Sequence, residues 1–174
     1  KDTNYGTVKV FPNPTAQFVI PSPQGCAPFD VNFQNISTGA TSYQWFYGDG
    51  DSSSNALANH THMYYNNGPG VINHNPFLVA LTDRGCTDTM YNTLSVYPEV
   101  TANFTVDTSG CHPLQSFFTD QSTNATIWNW NFGNGSSSSQ SNPSSVFQKS
   151  GNYTVSLTVT SDQGCQNITT KEIS

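Results

Sequence analysis

The sequence predicts an all-β protein made of two tandem β-sandwich domains. Three observations support this fold class. Asn, Ser, Thr and Gly dominate the composition, and aromatic residues make up 13% of the chain, which is typical of short strands joined by polar turns. The second half of the chain repeats the first half. Within each half, apolar and polar residues alternate with the period of a β-strand, and no segment sustains a helical period.

The repeat is carried by three pairs of matching segments. The first copy contains "GCAPFDVNFQNIST", "YQWFYGDGDSSS" and "LTDRGC", and the second contains "GCHPLQSFFTDQST", "WNWNFGNGSSSS" and "VTSDQGC". Three residue pairs anchor the alignment: Cys26 with Cys111, Trp45 with Trp130, and Cys86 with Cys165. Self-similarity at a fixed period is the signature of a repeat architecture, so the two halves should have the same fold.

The chain also opens with a copy of its own interior. The stretch "KDTNYGTVKVFPNPTAQF" at its start aligns without a gap with "TDTMYNTLSVYPEVTANF" in the middle. We therefore expect residues 1–12 to be the last strand of a preceding repeat plus a linker. Residues 13–98 would be the first repeat and residues 99–174 the second.

Strand alternation predicts the core. Each copy has about seven short strands in about 80 residues, the number expected for an immunoglobulin-like sandwich. Phe77, Val79 and Leu81 form one predicted apolar stripe. The expected core residues are Trp45, Trp130, Phe33, Phe118, Leu81 and Leu157.

Two aromatic residues are candidates for interaction rather than packing. Phe46 follows Trp45 and should face outward, where the second copy has Asn131. Trp128 is expected at the sandwich edge with partial exposure. Phe46 is a possible contact with a neighbouring domain or a partner, although single exposed apolar residues are ordinary on soluble proteins.

Charge excludes several classes of partner. Charged residues make up 9% of the chain and the formal net charge is −6, so there is no basic surface for nucleic acid or anionic membranes. No apolar run approaches the roughly 20 residues of a membrane span. We expect neither nucleic-acid binding nor membrane insertion.

A metal site is only weakly indicated. Asp49 and Asp51 bracket Gly50 in a turn, and oxygen-rich loops can bind Ca²⁺, but that ion needs six to eight oxygen ligands. An Asp-Gly turn explains these residues without a metal. His60 and His62 share a strand face and are a second possibility, although no third ligand is evident and we interpret His60 as a surface residue. No cofactor is therefore expected, with Ca²⁺ at Asp49 and Asp51 as the alternative.

Catalysis is not indicated. The serines lie in "DSSS" and "SSSS" loops, without the strand–turn–helix setting of a nucleophile elbow. No paired carboxylates occur at equivalent places in the two copies.

The motifs together resemble the PKD repeat, a β-sandwich module. "WFYGDG" and "WNFGNG" are variants of that family's W-D-F-G-D-G, "NHTHMY" and "NPSSVF" resemble its N-P-T-H-T-Y, and "YTVSLTVT" resembles its closing strand. The resemblance implies that His62 takes the place of the family's structural histidine. Phe46 and Asn131 replace the aspartate after tryptophan, and Asn134 replaces the usual aspartate of the turn. These departures weaken any Asp-based cation site that the resemblance implies.

The four cysteines allow three connectivities. Repeat symmetry favours one bridge in each domain, Cys26–Cys86 and Cys111–Cys165. The spacing fits no zinc site, because there is no Cys-x-x-Cys. Disulfides in small domains imply an oxidising, extracellular or cell-surface location.

Two functions follow from the resemblance. The cysteine-bearing pattern is similar to repeats of large Bacteroidota surface and gliding adhesins exported by type 9 secretion. This similarity implies a non-catalytic stalk or filament whose partners are neighbouring repeats, copies associating laterally or end to end, or a surface glycan or protein. The alternative is an accessory, spacer or carbohydrate-binding module of a secreted polysaccharidase or protease.

Overall fold

The computed structural model describes residues 8–54, 59–107 and 111–174. These residues form seventeen β-strands and no helix. In the first half of the chain the strands are β1 (Phe18–Val19), β2 (Gln24–Cys26), β3 (Phe29–Asn35), β4 (Ser42–Phe46), β5 (Ser52–Ser53), β6 (His60–Tyr64), β7 (Ile72–His74), β8 (Phe77–Leu81), β9 (Thr87–Tyr91) and β10 (Leu94–Tyr97). In the second half they are β11 (Phe104–Val106), β12 (Leu114–Asp120), β13 (Ile127–Asn131), β14 (Ser137–Ser138), β15 (Ser144–Phe147), β16 (Tyr153–Thr160) and β17 (Gln166–Ile173).

Four of the sheets are antiparallel, and their strand order repeats between the two halves. The four-stranded sheet β5-β4-β8-β9 of the first half corresponds to β14-β13-β16-β17 of the second. The three-stranded sheet β1-β3-β6 corresponds in the same way to β11-β12-β15. A further sheet has the order β2-β10-β7. This arrangement confirms the all-β, immunoglobulin-like sandwich predicted from the repeat and the strand alternation.

The described residues form two compact units. The first contains the described residues up to Gly25, with Phe29–Tyr64 and Asn73–Val96. The second contains Cys26–Pro28, Tyr65–Ile72 and Tyr97–Ser174. The division therefore differs from the sequence repeats, because two segments of the first repeat belong to the second unit.

The expected strand near the start of the chain stays a prediction. Residues 1–7 lie outside the described residues, and residues 8–12 carry no strand.

Each unit has an aromatic core built around one tryptophan. In the first unit the Trp45 ring contacts Phe18 and Phe33 of the other sheet, with ring centroids 5.1 and 5.6 Å apart. In the second unit Trp130 contacts Phe104 and Phe118 at 5.0 and 5.5 Å. Both tryptophans are fully buried, as are the other predicted core residues Phe33, Phe118 and Leu157.

Leu81 is not a core residue, because the predicted stripe lies on the opposite face of β8 from the buried one. Strand β8 buries Leu78 and Ala80, whereas Phe77, Val79 and Leu81 are only half-buried. Trp45 faces Leu78 across the sheet just as Trp130 faces Leu157, so Leu78 is the true counterpart of Leu157. Every residue of this strand is apolar, so its sequence does not show which alternate set points inward, and a slip of one residue exchanges the two faces.

The predicted disulfide pairing was also wrong. Cys26 is bonded to Cys165, at a sequence separation of 139 residues, whereas Cys86 and Cys111 are free. Ala27 donates a backbone hydrogen bond to the carbonyl of Tyr97 at 3.1 Å, which holds the segment after Cys26 in the second unit. Cys86 belongs to the first unit, so the two cysteines of the first repeat are separated by the fold.

Candidate functional site

The candidate site is the turn that joins β4 to β5, together with the strand that faces it. The Nε2 atom of His62, in β6, lies 2.6 Å from the Oδ2 atom of Asp49. The other carboxylate oxygen of Asp49 accepts the backbone N–H of Asp51 at 3.0 Å. Ligand atoms of Asp49, Asp51 and His62 all lie within 4.8 Å of one another. These residues are therefore the candidate cation ligands, and His62 completes the pair that the sequence indicated.

Two glycines set the shape of this turn in the two copies. Gly48 has a φ of 80°, and a Cβ placed on it would lie 2.8 Å from the backbone nitrogen of Asn75. Gly133 has a φ of 73°, and its Cβ would lie 2.6 Å from the carbonyl oxygen of Thr154. A positive φ and a close backbone approach both require glycine. The conformation of the turn therefore explains these two glycines without a bound ligand.

The histidines are held by Tyr47. The His62 ring stacks on the Tyr47 ring with centroids 3.9 Å apart and planes 5° apart. The Tyr47 hydroxyl forms a 2.9 Å hydrogen bond with Nε2 of His60, whose ring also stacks on Phe33. His60 is therefore a half-buried packing residue rather than the expected surface residue, because its register opposite Phe33 places it over the edge of the core.

The electrostatics of the turn favour an ionised Asp49. Burial alone would raise the pKa of Asp49, but hydrogen bonds from His62 and from the Asp51 backbone, with the charge of His62, lower this pKa below its ordinary value. Burial raises the pKa of Tyr64, and the charge of Asp49 and the neighbouring Tyr47 raise it further. Tyr64 stays protonated and donates its hydroxyl to the carbonyl of Tyr47 at 2.8 Å. The histidine–carboxylate pair is thus a charge-assisted link across the turn.

The second copy closes the same turn without charged side chains. The Nδ2 atom of Asn134 donates to the hydroxyl of Ser145 at 3.0 Å, and Ser136 bonds to Asn134 at 2.6 Å. Strand register makes Ser145 the counterpart of His62. Tyr64 pairs with the first residue of β3 and Phe147 pairs with the first residue of β12. His62 and Ser145 each lie two residues before these partners. The turn therefore needs a hydrogen-bonded clasp in both copies but a charged one only in the first.

This geometry fits Ca²⁺ poorly. Asp49 and Asp51 supply carboxylate oxygens, but the third nearby group is an imidazole nitrogen, whereas Ca²⁺ takes six to eight oxygens. His62 already occupies one oxygen of Asp49 by direct contact. The arrangement is best described as a structural clasp that joins the turn to β6.

Phe46, the first candidate for interaction, lies in an aromatic row across its own sheet. Its ring stacks on Phe77 with centroids 4.4 Å apart and planes 11° apart, and Phe77 contacts Tyr91 at 5.1 Å. The three residues are directly opposite one another on β4, β8 and β9. Phe46 and Phe77 are half-buried, and Tyr91 is 67% exposed. Cross-strand aromatic pairs of this kind stabilise a sheet.

Trp128, the second candidate for interaction, is half-buried and packs against the core of the second unit. Its indole N–H donates to the carboxylate of Asp120 at 2.6 Å. A buried ring edge with a satisfied N–H indicates a packing role.

Sequence reasoning missed the partners of Phe46. Phe77 and Tyr91 were visible as aromatic residues, but Phe77 was assigned to the core by the register error in β8. A correct register would have placed all three rings on the outer face.

The described residues contain no helix that is long and apolar enough to cross a membrane. No curated protein is significantly similar to this chain.

Comparison with protein families and solved structures identifies the repeat. Residues 95–174 match the family model described as PKD domain, which is a non-catalytic module. The PKD1 domain of Vibrio anguillarum Epp is 39% identical, with 42% of this chain and 88% of that domain covered and a TM-score of 0.38.

Two further structures are similar. The PKD1 domain of the Vibrio cholerae metalloprotease PrtV is 31% identical over 42% of this chain and 93% of that domain, with a TM-score of 0.38. A structure from a 1.5-MDa bacterial ice-binding adhesin is 12% identical over 94% of this chain and 64% of that chain, with a TM-score of 0.37. On the family match and the identity to the two Vibrio domains, this chain belongs to the PKD-domain family.

Proposed function

We propose that this chain is a non-catalytic structural segment of a long extracellular surface protein, in which tandem PKD repeats form a stalk or filament that supports adhesion. PKD domains and disulfides are typical of extracellular bacterial proteins. Because the repeats resemble those of surface and gliding adhesins of Bacteroidota, we propose that the parent protein is such an adhesin, exported by type 9 secretion.

The observation that carries this proposal is the Cys26–Cys165 bond. In the sequence, Cys26 belongs to the first repeat and Cys165 to the second, so one covalent link ties two successive repeats. A cross-link between repeats limits how far the chain can be extended between the two cysteines. This property suits a protein that transmits force or holds a partner at a distance.

The surface chemistry supports the same function. Charged residues are 9% of the chain, so hydration of a long rod would rest on Asn, Ser and Thr. The clasp at Asp49 and its uncharged counterpart at Asn134 both serve the turn, and neither is arranged as an acid–base pair for catalysis. Neighbouring repeats, other copies of the chain and a surface glycan or protein are the partners we propose.

The second candidate is a carbohydrate-binding or spacer module of a secreted enzyme. The exposed ring of Tyr91 favours it, because sugars stack on exposed aromatic faces. However, Phe46 and Phe77 face each other at 4.4 Å and so present their edges outward. A sugar platform needs coplanar exposed faces, so the row resembles sheet packing more than a binding surface.

The test is the size and place of the parent polypeptide. Antibody raised against this chain would probe intact cells and culture supernatant of the source on a large-pore denaturing gel. We expect a very large band that stays with intact cells and disappears after external protease treatment. A modest band in the supernatant that migrates with a hydrolytic activity would contradict the stalk and support the second candidate.

A polysaccharide-binding assay is a second, independent test of the two candidate functions. We expect Tyr91→Ala to leave retention on insoluble polysaccharides unchanged, because the row serves packing. Loss of a measurable retention in this variant alone would favour the carbohydrate-binding module.

A further inference from the structure

The two free cysteines are the repeat counterparts of the two bonded ones. Cys26 and Cys111 both lie in a Gly-Cys-x-Pro segment. Each is three residues before the start of a seven-residue strand, β3 for Cys26 and β12 for Cys111. Cys26 and Cys111 are both exposed. Cys86 and Cys165 both end a Gly-Cys turn and precede the last long strand of their copy. The free pair therefore has the same two local settings as the bonded pair.

The turn that holds Cys86 has the same hydrogen bonds as the turn that holds Cys165. Thr82 donates its backbone N–H to the carbonyl of Cys86 at 2.9 Å, and Ser161 donates to Cys165 at 2.9 Å. Cys86 in turn donates to the Thr82 hydroxyl at 3.0 Å, and Cys165 donates to the Ser161 hydroxyl at 3.1 Å. The frame that presents the bonded sulfur is thus already formed around the free one.

The two turn cysteines differ in their exposure. Cys165, which is bonded to Cys26, is 2% exposed, whereas Cys86 is half-buried. Cys165 belongs to a unit that includes Cys26–Pro28, a segment of the preceding repeat in the sequence. A counterpart of that segment would complete the surroundings of Cys86 in the same way.

We propose that the disulfides of this array run from each repeat to the next, so that Cys86 bonds to a counterpart of Cys26 in a preceding repeat and Cys111 bonds to a counterpart of Cys165 in a following repeat. Each repeat then gives its first cysteine to the repeat after it and receives one from the repeat before it at its turn cysteine. Cys86 and Cys111 are thus attachment points for further repeats of the same kind.

The chemistry is an ordinary oxidation of two thiols. The two sulfurs form one S–S bond and release two protons and two electrons. A disulfide oxidant, such as oxidised glutathione or the active-site disulfide of an oxidoreductase, accepts them and becomes two thiols. Neighbouring repeats in one polypeptide are at high effective concentration, so this bond is favoured over a bond between separate molecules.

The test is an extended chain with one more repeat. Ser174 is the counterpart of Ser95, because Cys165 and Cys86 differ by 79 positions (165 − 86) and so do these serines (174 − 95). A second copy of residues 96–174, joined directly after Ser174, therefore reproduces the natural junction. The protein is folded with reduced and oxidised glutathione, its free thiols are alkylated, and its disulfides are mapped by mass spectrometry without reduction.

We expect Cys111 to be linked to the added copy of Cys165, while Cys86 and the added copy of Cys111 are alkylated. In the matched control, serine replaces the added copy of Cys165, and Cys111 should again become fully alkylated. The Cys26–Cys165 bond in the same map reports that the original part has folded as described.

Three results would overturn the inference: Cys111 that stays alkylated in the extended chain, a bond between the two added cysteines, or a map without Cys26–Cys165. The inference rests on the proposed function only in requiring a neighbouring repeat. None of these three results bears on the size or the cell-surface location of the parent polypeptide, so the two proposals fail separately.

Discussion

The imidazole of His62 lies 2.6 Å from the carboxylate of Asp49, and the same ring stacks on Tyr47 at 3.9 Å. The side chains of His62 and Asp49 are only 15% and 21% exposed, although residues 48–51 of the turn are exposed as a whole. The pair therefore joins the Gly-Asp-Gly turn to β6 in an environment where a charged hydrogen bond contributes to stability.

Removing the charge of Asp49 should destabilise the first unit at neutral pH. Asp49→Asn keeps an oxygen for the Asp51 backbone N–H but loses the carboxylate that faces His62. We expect a loss of about 1.5–3 kcal/mol in the free energy of unfolding, the size of a hydrogen bond to a charged group. Urea unfolding at pH 7 measures it. Asp51→Asn is the matched control, because it removes the same charge and should cost less.

The same pair makes stability depend on pH in acid. The folded-state pKa of Asp49 is lowered from 3.8, so its contribution is present above that pH and is lost as the pH falls through the folded-state pKa. The difference in stability between the native chain and Asp49→Asn should shrink as the pH falls below about 4. A difference that stays constant down to pH 2 would show that Asp49 does not act through its charge.

Chelation of metal ions should leave the protein unchanged. The turn in the second copy closes through Asn134 and Ser145 without a carboxylate, and the first copy offers too few oxygens for Ca²⁺. We expect the same melting temperature with EDTA and with millimolar Ca²⁺. A rise of several degrees in Ca²⁺ that Asp49→Asn abolishes would instead establish a cation site.

The central tryptophans should be among the most costly residues to truncate. Trp45→Ala and Trp130→Ala each remove a fully buried ring that contacts two phenylalanines, and we expect each to cost about 3–5 kcal/mol. Trp128→Phe is the control: it loses the hydrogen bond to the Asp120 carboxylate but keeps most of its packing, and should cost less, about 1.5–3 kcal/mol. Chemical unfolding followed by circular dichroism gives the three values. Equal costs for Trp45→Ala and Trp128→Phe would contradict the core placement.

The register of β8 can be tested with two leucines in the same strand. Leu78 is fully buried opposite Trp45, and Leu81 is half-buried at the end of the strand. Leu78→Ala should cost about 2–5 kcal/mol, and Leu81→Ala should cost clearly less. The comparison uses the same substitution twice, so equal losses would mean that the strand does not present a single face to the core.

These leucines also show how far the sequence could predict the fold. Where polar residues alternate with apolar ones, as around Phe33 and Phe118, the inward face was read correctly. In β8 both faces are apolar, because the outer one carries Phe77 in the aromatic row, so no alternation was available.

The candidate site was predictable in part for a similar reason. The Gly-Asp-Gly motif located Asp49, but its contact with His62 joins the β4–β5 turn to a strand of the other sheet, which the local sequence does not show. The cysteine pairing failed because repeat symmetry was applied within each repeat. The same symmetry also permits bonds between successive repeats, and only the fold distinguishes the two.

The thiols and the cystine give the last prediction. In the folded chain, alkylation should label two cysteines, Cys86 and Cys111, and mass spectrometry should find Cys26 linked to Cys165. Reduction should lower the free energy of unfolding by about 5 kcal/mol in the chain-entropy model, because the bond closes a loop of 139 residues. The double variant Cys86→Ser with Cys111→Ser is the control and should melt like the native chain without a reductant, since neither thiol is bonded. Loss of stability in this control, or alkylation of Cys26, would show that the pairing in solution differs from the one in the structure.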